Sequence, residues 1–203
     1  MANRSYLYSS NLIPKADTKL SERKVIGISE WNYAIPIVFK ILVSGYPQAC
    51  TSLIWKHPDQ IALVADYAAG VKNLESFFTK VGCPQAQNLI AEAIAFLHTP
   101  ENQNQYFVLE CGEIFDMSDS PLATQNSALL EQVNNLEAEI DLALQTLKPP
   151  AVIETKPAGF FTKLFGRAPK LAPTHDPMQA IYALGLGNWS NILYFDFTNE
   201  EQG

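Results

Sequence analysis

Thirteen prolines limit where helices and strands can lie in this chain of 203 residues. Proline donates no backbone hydrogen bond, so it is tolerated in the first turn of a helix but interrupts helix interiors and central strands. Six of the thirteen fall within residues 149–177, which therefore cannot form one regular element. Five others each precede an apolar segment and predict the start of a helix: Pro36, Pro47, Pro58, Pro84 and Pro121. At Pro36 the alternative is a kink in a helix that begins near Glu30.

The apolar patterns between these prolines predict an α+β fold, with five to six helices packed on a small β-sheet. Alternating, aromatic-rich segments predict an N-terminal, a central and a C-terminal strand at residues 3–10, 106–111 and 189–197. The first and last share the same aromatic character, and we expect them to be adjacent strands of one sheet. Residues 11–24 are polar and predict a loop. The predicted helices span residues 36–45, 47–55, 58–81, 84–97, 121–148 and 178–184.

The longest predicted helix spans residues 121–148 and carries one narrow apolar stripe, which runs from Leu129 to Leu147. At 1.5 Å per residue it would be roughly 40 Å long. The stripe favours a long helix that crosses the domain or forms one arm of a helical hairpin. A near-heptad spacing leaves open a coiled coil that self-associates.

We expect residues 1–203 to form a single domain, from which the proline-rich residues 149–177 make an irregular excursion. Phe160, Phe161 and Phe165 form an apolar face on a short turn at residues 159–166 within the excursion. This hook either docks on the core or binds a partner.

Charge is distributed unevenly along the chain, whose net charge is −7. Residues 81–147 contain ten acidic side chains and no lysine or arginine. Such a segment disfavours nucleic-acid binding, because phosphate contacts need cationic side chains. It favours a basic partner, since complementary charge accelerates association. The alternative is an acidic face that serves only solubility.

The sequence contains no motif for a catalytic residue, a metal site or a cofactor, and we predict none of them. The three histidines lack metal-ligand spacing. Cys50, Cys83 and Cys111 are odd in number and widely spaced, which excludes a disulfide scaffold and suits a reducing cytoplasm. No apolar run approaches the roughly 18 residues of a membrane span, and no signal-peptide pattern opens the chain. These features predict a soluble cytoplasmic protein that does not bind membranes, and we expect a monomer.

Polar and aromatic side chains flank the predicted terminal strands and define a possible pocket. If those strands pair, these side chains gather at one end of the sheet. The cluster either binds a small ligand or supplies the hydrogen bonds that buried polar groups need. Its members are Asn3, Arg4, Trp31, Asn32, Trp189 and Asn191.

Blocks at both ends of the chain and in the first core helix resemble a family of uncharacterised bacterial proteins that open with MANRSYLY. The matching blocks are MANRSYLY at residues 1–8, SEWNY at 29–33, ILVSG at 41–45, GLG at 185–187, WSN at 189–191 and LYFD at 193–196. The resemblance implies an accessory protein of the immunity type, encoded beside secreted bacterial toxins.

The acidic segment and this resemblance together predict a non-enzymatic immunity protein that occludes a basic toxin domain, such as a nuclease. Two alternatives remain open. One is an enzyme or small-molecule binder that uses the polar cluster near the termini, and the other is a structural adaptor that acts through the 121–148 helix. The expected partner-binding residues are Glu110, Glu113, Asp116, Glu131, Glu137, Glu139, Asp141, Phe160, Phe161 and Phe165.

Overall fold

A computed structural model describes residues 2–17, 22–148 and 177–197 and confirms the α+β fold. The strands are β1 (Arg4–Ser10), β2 (Val25–Asn32), β3 (Gln48–Cys50), β4 (Ala62–Asp66) and β5 (Tyr106–Glu110). The α-helices of the described residues are α1 (Ile37–Leu42), α2 (Tyr67–Phe78), α3 (Gln87–Leu97), α4 (Gly112–Phe115), α5 (Leu122–Asn134), α6 (Glu137–Thr146) and α7 (Pro177–Ala183). Two short 3-10 turns, Pro84–Ala86 and Pro100–Asn102, flank α3.

The five strands form one antiparallel sheet in the order β2-β1-β5-β4-β3. The predicted N-terminal and central strands are therefore confirmed, and they pair with each other directly. Tyr6 in β1 lies opposite Glu30 in β2 on one side and opposite Glu110 in β5 on the other. Ala62 in β4 also lies opposite Glu110, so one row of side chains crosses the sheet.

The two faces of the sheet are covered differently. One face, the helical face, carries Leu7, Leu63 and Phe107 and packs against buried side chains from the helices. The other, the loop face, carries Tyr6 and Tyr8 and packs against side chains from loops and from the C-terminal segment. No helix contributes to the loop-face cluster among the described residues. Successive strand residues point to opposite faces, which explains why β1 supplies both clusters.

The C-terminal segment is not the strand that its aromatic pattern predicts. Its one bridge to the sheet joins Trp189 to Ser29 in β2, and residues 190–197 form no strand. Because β1 already pairs with β2 and β5, the segment cannot lie beside it. The segment instead crosses the loop face, where the Tyr8 hydroxyl donates to the backbone oxygen of Phe195 at 2.8 Å.

The prolines mark helix starts correctly in three places and wrongly in two. Pro36 and Pro121 directly precede α1 and α5, and Pro84 opens the 3-10 turn that leads into α3. Pro47 precedes β3 instead, and Pro58 lies in the loop before β4. The β2 strand is also absent from the predicted set, since its central glycine and polar residues weaken its strand pattern.

The apolar residues after Pro58 predict a helix, but the first of them form β4, a strand that is buried on both faces. A continuously apolar strand has the same composition as a buried helix segment. Asp66 marks the real boundary, because its side chain accepts the N–H of Ala69 at 2.7 Å and thereby caps α2.

The predicted 121–148 helix is divided into α5 and α6. Asn135 leaves the helical conformation, with φ −134° and ψ 52°. Val133 and Leu136, on either side of the break, are both buried against the helical face. The prediction of one continuous helix is therefore wrong.

Within the described ranges, no helix combines the length and apolarity that crossing a bilayer requires. Most of the predicted excursion at 149–177, including the hook at 159–166 with Phe160, Phe161 and Phe165, lies outside the described residues.

Candidate partner-binding surface

The carboxylates predicted to bind a partner fall into two groups. Glu110, Glu113 and Glu139 make contacts within the protein. The remaining four are exposed: Asp116, Glu131, Glu137 and Asp141.

Glu110 is not a surface residue, because its side chain is 1% exposed. It lies on the loop face of β5, beneath the loop that joins β3 to β4 (residues 51–61). The hydroxyl of Ser52 donates to one carboxylate oxygen at 2.7 Å, and the N–H of Leu53 donates to the other at 2.5 Å. The prediction that Glu110 contacts a partner directly is therefore wrong.

Glu113 ties the N-terminus to α4. Its carboxylate accepts the N–H of Arg4 at 2.9 Å and the hydroxyl of Tyr6 at 2.8 Å. Its backbone oxygen accepts the side-chain amide of Asn3 at 2.9 Å. Burial, and then the acceptor Glu113, raise the pKa of Tyr6. These contacts give Glu113 a structural role at the start of β1.

Glu139 is engaged by a lysine from the first core helix. The Nζ atom of Lys40 lies 2.7 and 3.0 Å from the two carboxylate oxygens and 3.2 Å from the amide oxygen of Gln132. Lys40 is only 9% exposed, so its charge needs this partner. The pair joins α1 to α6.

The four exposed carboxylates are spread along the acidic segment. Asp116 follows α4, Glu131 lies on α5, and Glu137 and Asp141 lie four residues apart on α6, which makes them surface neighbours. Among the described residues, none of the four forms an ion pair within 4.0 Å. They are the acidic side chains of the predicted set that remain available to a partner.

A groove that the sequence did not predict lies where α1, α2 and the α5–α6 corner meet. Its volume is about 290 Å³, and its lining combines buried apolar side chains with exposed polar ones. Lys80 lines it from just beyond the C-terminal end of α2 and Glu137 lines it from α6, so an exposed carboxylate of the predicted set borders the groove. The groove depends on the break at residue 135, which no sequence signal indicated. The lining residues are Ile41, Ser44, Asn73, Ser76, Phe77, Lys80, Val133, Asn134, Leu136, Glu137 and Ile140.

Among the six polar and aromatic residues near the termini, Arg4 and Asn191 make two separate sets of contacts. Arg4 lies 3.2 Å from Glu30 and stacks on the ring of Tyr194 at 4.5 Å. Asn191 donates to the backbone oxygen of Gly27 at 3.1 Å and to the side-chain oxygen of Asn102 at 2.6 Å.

Asn3 binds Glu113 together with Arg4, and the other three members of the predicted pocket lie in different surroundings. Trp189 packs against Phe96, with ring centres 5.9 Å apart, while Trp31 is half-buried and Asn32 is exposed. Asn191 lines a cavity that measures about 80 Å³. Ligand pockets usually measure about 300–1,000 Å³, so the arrangement favours internal hydrogen bonding over ligand binding.

The stripe that would serve a structural adaptor is also occupied. Leu129, Val133, Leu136 and Leu147 are each less than 9% exposed and belong to the helical-face core. The stripe is therefore not available for self-association through a coiled coil.

The thiols and metal-ligating side chains do not form a reactive site in the described part of the chain. Cys50, Cys83 and Cys111 are free and buried. Burial, and then the carboxylate of Glu110, raise the pKa of the Cys50 and Cys111 thiols. No group of three or more His, Cys, Asp or Glu side chains among the described residues could hold a metal ion.

The fold and this surface define an α+β protein whose antiparallel sheet has helices on one face and loops on the other. The chain belongs to the family described as domain of unknown function DUF7822, whose model matches residues 11–150. That range includes β2 to β5 and the whole acidic segment, and the family description assigns no activity. The comparisons with curated proteins and with solved structures gave no match.

Proposed function

We propose that this protein is a cytoplasmic immunity protein, which binds a secreted toxin domain with a basic surface and neutralises it by occlusion. The observation that carries the proposal is the set of four exposed carboxylates that form no ion pair with any described residue, in a segment of 67 residues that has no lysine or arginine. A basic partner supplies the missing cations, and the field of the segment accelerates its association. Occlusion requires no catalytic group.

The placement of charge on α6 supports a binding role over solubility alone. Glu137 and Asp141 are like charges one turn apart, an arrangement that destabilises an isolated helix by about 0.2–0.5 kcal/mol. Solubility alone would be served equally well by mixed charges, which also support a helix. A cationic partner converts this repulsion into attraction.

The groove at the α5–α6 corner adds the apolar component that most protein interfaces need. Binding energy concentrates in a few apolar anchors that fill pockets and are surrounded by polar rims. The groove offers such a pocket beside Glu137. It fits an apolar side chain of the toxin that is flanked by lysine or arginine.

Neutralisation is tested by co-expressing the chain with the C-terminal domain of each large secreted protein encoded next to its gene. We expect one of these domains to arrest growth when expressed alone and to be harmless in the presence of this protein. If this protein protects cells against none of the toxic domains, the proposal is overturned.

Reversing the exposed carboxylates should slow association with the toxin domain so identified. The variant Glu131→Lys, Glu137→Lys, Asp141→Lys should bind at least about tenfold more weakly, chiefly through a slower on-rate, because rim charges act mainly on encounter. The wild-type on-rate should fall as salt rises. Surface plasmon resonance at low and high salt measures both rates.

A matched control changes the net charge equally at another place. Asp17, Glu22 and Asp59 are also exposed and lie outside residues 81–147. Their joint reversal to lysine should leave most of the on-rate intact. Equal losses in the two triple variants would show that net charge, and not this surface, governs binding.

Filling the groove should weaken the same complex through dissociation. Asn134 is exposed and lines the groove, so Asn134→Trp should occupy it without disturbing the core. We expect a loss of affinity of about tenfold or more, carried by a faster off-rate. Ala128→Trp, at an exposed position of α5 that does not line the groove, is the control. If Asn134→Trp binds the toxin domain with unchanged on-rate and off-rate, the groove is not part of the interface.

A further inference from the structure

Glu110 is a buried carboxyl group without a cationic partner. It is 1% exposed and belongs to none of the ion pairs of the described residues. Removing an unpaired charge from water is unfavourable unless strong hydrogen bonds replace the lost hydration. Both hydrogen bonds that its carboxylate receives come from one element, the β3–β4 loop.

The loop is organised around this carboxyl group. Ser52 donates to Glu110 and in turn accepts the N–H groups of Ile54 at 3.0 Å and Trp55 at 2.8 Å. The ring of Trp55 packs on the backbone of Gly112, where an added Cβ would lie 2.9 Å from the ring. The loop therefore docks through Glu110 and the residues that directly follow it on β5.

No cationic side chain of the described residues lies within ion-pair distance of Glu110. The nearest titratable groups on the sheet are neutral or acidic, and charge on Glu110 adds to the rise in the pKa of Tyr8, Cys50 and Cys111. Lys40 acts on Cys111 from the other side of the sheet and pairs with Glu139. The titratable and charged groups on the elements packed around Glu110 are Arg4, Tyr6, Tyr8, Cys50, Lys56, His57, Asp59, Asp66, Tyr106, Cys111 and Glu113, of which Arg4 pairs with Glu30 and Lys56 is exposed.

We infer that Glu110 makes docking of the β3–β4 loop depend on pH, with the protonated carboxyl group favouring the docked loop and the ionised group favouring its release. An ionised Glu110 regains hydration only when the loop moves away. Release uncovers the loop face of the sheet around Tyr6 and Cys50, both of which are buried when the loop is docked.

The direction of the effect follows from linkage between protonation and opening. Burial raises the pKa of Glu110 from 4.5 to about 7, and the hydrogen bonds from Ser52 and Leu53 offset part of that rise. The raised pKa means that the docked form binds the proton more tightly than the open form. Stabilisation of the docked loop is therefore complete below about pH 4.5 and is lost as the pH rises through about 7.

Hydrogen exchange of the Leu53 amide measures loop opening directly. After correction for intrinsic base catalysis, opening should become about tenfold more frequent per pH unit between pH 4.5 and 7, and should level off above pH 7. The whole change should be about 300-fold. The carboxyl carbon of Glu110, followed by NMR, should titrate with the same upper midpoint.

Three variants decide whether Glu110 is responsible. Glu110→Gln should abolish the pH dependence of Leu53 exchange, since it cannot ionise. Ser52→Ala keeps the carboxyl group but removes one donor to its charged form, so the Glu110 midpoint should move upward even if the glutamine variant folds poorly. His57→Gln should leave the dependence intact and controls for the other group of the loop that can titrate near neutral pH. A pH-independent Leu53 amide in the wild type, or a dependence that survives Glu110→Gln, would overturn the inference.

Discussion

Replacement of Gly70 by alanine is expected to destabilise the protein strongly, and more than alanine at the other glycines of the described residues. Gly70 lies in α2 where that helix meets α1, and an added Cβ would overlap the backbone oxygen of Leu42. The same Cβ would lie 3.1 Å from the ring of Phe107 in the sheet. Backbone cannot move aside as a flexible side chain can, so α1 and α2 must separate. We expect a loss of about 3 kcal/mol or more in the free energy of unfolding, which lowers Tm by about 6–12 °C.

Gly82→Ala is the matched control for this substitution. An added Cβ at Gly82 would meet no atom within 4 Å, and no unusual φ is required there. Its effect should stay within about 0.5 kcal/mol. Thermal and urea unfolding of both variants provide the comparison, and equal stabilities would mean that α1 and α2 do not approach as closely as the structure shows.

Truncation of Leu193 to alanine is expected to loosen the cover of the loop face. Leu193 is 5% exposed and packs in the loop-face cluster. An added Cβ on Gly27 would lie 2.8 Å from the Leu193 side chain and 2.6 Å from the backbone oxygen of Asn191, so the segment sits directly on the sheet. We expect a loss of about 2–3 kcal/mol from the free energy of unfolding, measured in urea.

The neighbouring residue supplies the control for Leu193→Ala. Ile192 is 79% exposed, and Ile192→Ala should change the free energy of unfolding by no more than about 0.5 kcal/mol. If the two alanine variants are equally stable, the C-terminal segment does not cover the sheet and the loop face is solvated.

Where local periodicity and burial agreed, the sequence sufficed to predict structure. The alternating, aromatic-rich pattern of residues 4–10 and 106–110 predicted β1 and β5. Both strands are buried on two faces, yet their residue types remain those typical of strands. The prolines before α1 and α5 predicted where those helices start, since the missing N–H has no partner to lose in a first turn. The acidic residues were equally visible as a property of the chain.

The candidate surface could be predicted only in part. Four of the seven proposed carboxylates are exposed. Glu139 pairs with a lysine almost 100 residues earlier in the chain, which no local pattern reveals. Glu110 stands at the end of an alternating strand, where an acidic residue is usually exposed to solvent. It is buried because the β3–β4 loop crosses over it.

The sequence by itself determined the mixed fold class, the positions of β1 and β5, several helix starts and the uneven charge, because each depends on side chains close together in the chain. Tertiary structure alone decided which neighbours each strand has, and therefore that the aromatic C-terminal segment covers a face instead of joining an edge. It also decided that the longest apolar stripe bends at Asn135 to bury both Val133 and Leu136. These outcomes depend on contacts between residues far apart in the chain. Whether a side chain is buried depends on which distant segments pack against it, and local sequence preferences do not determine that.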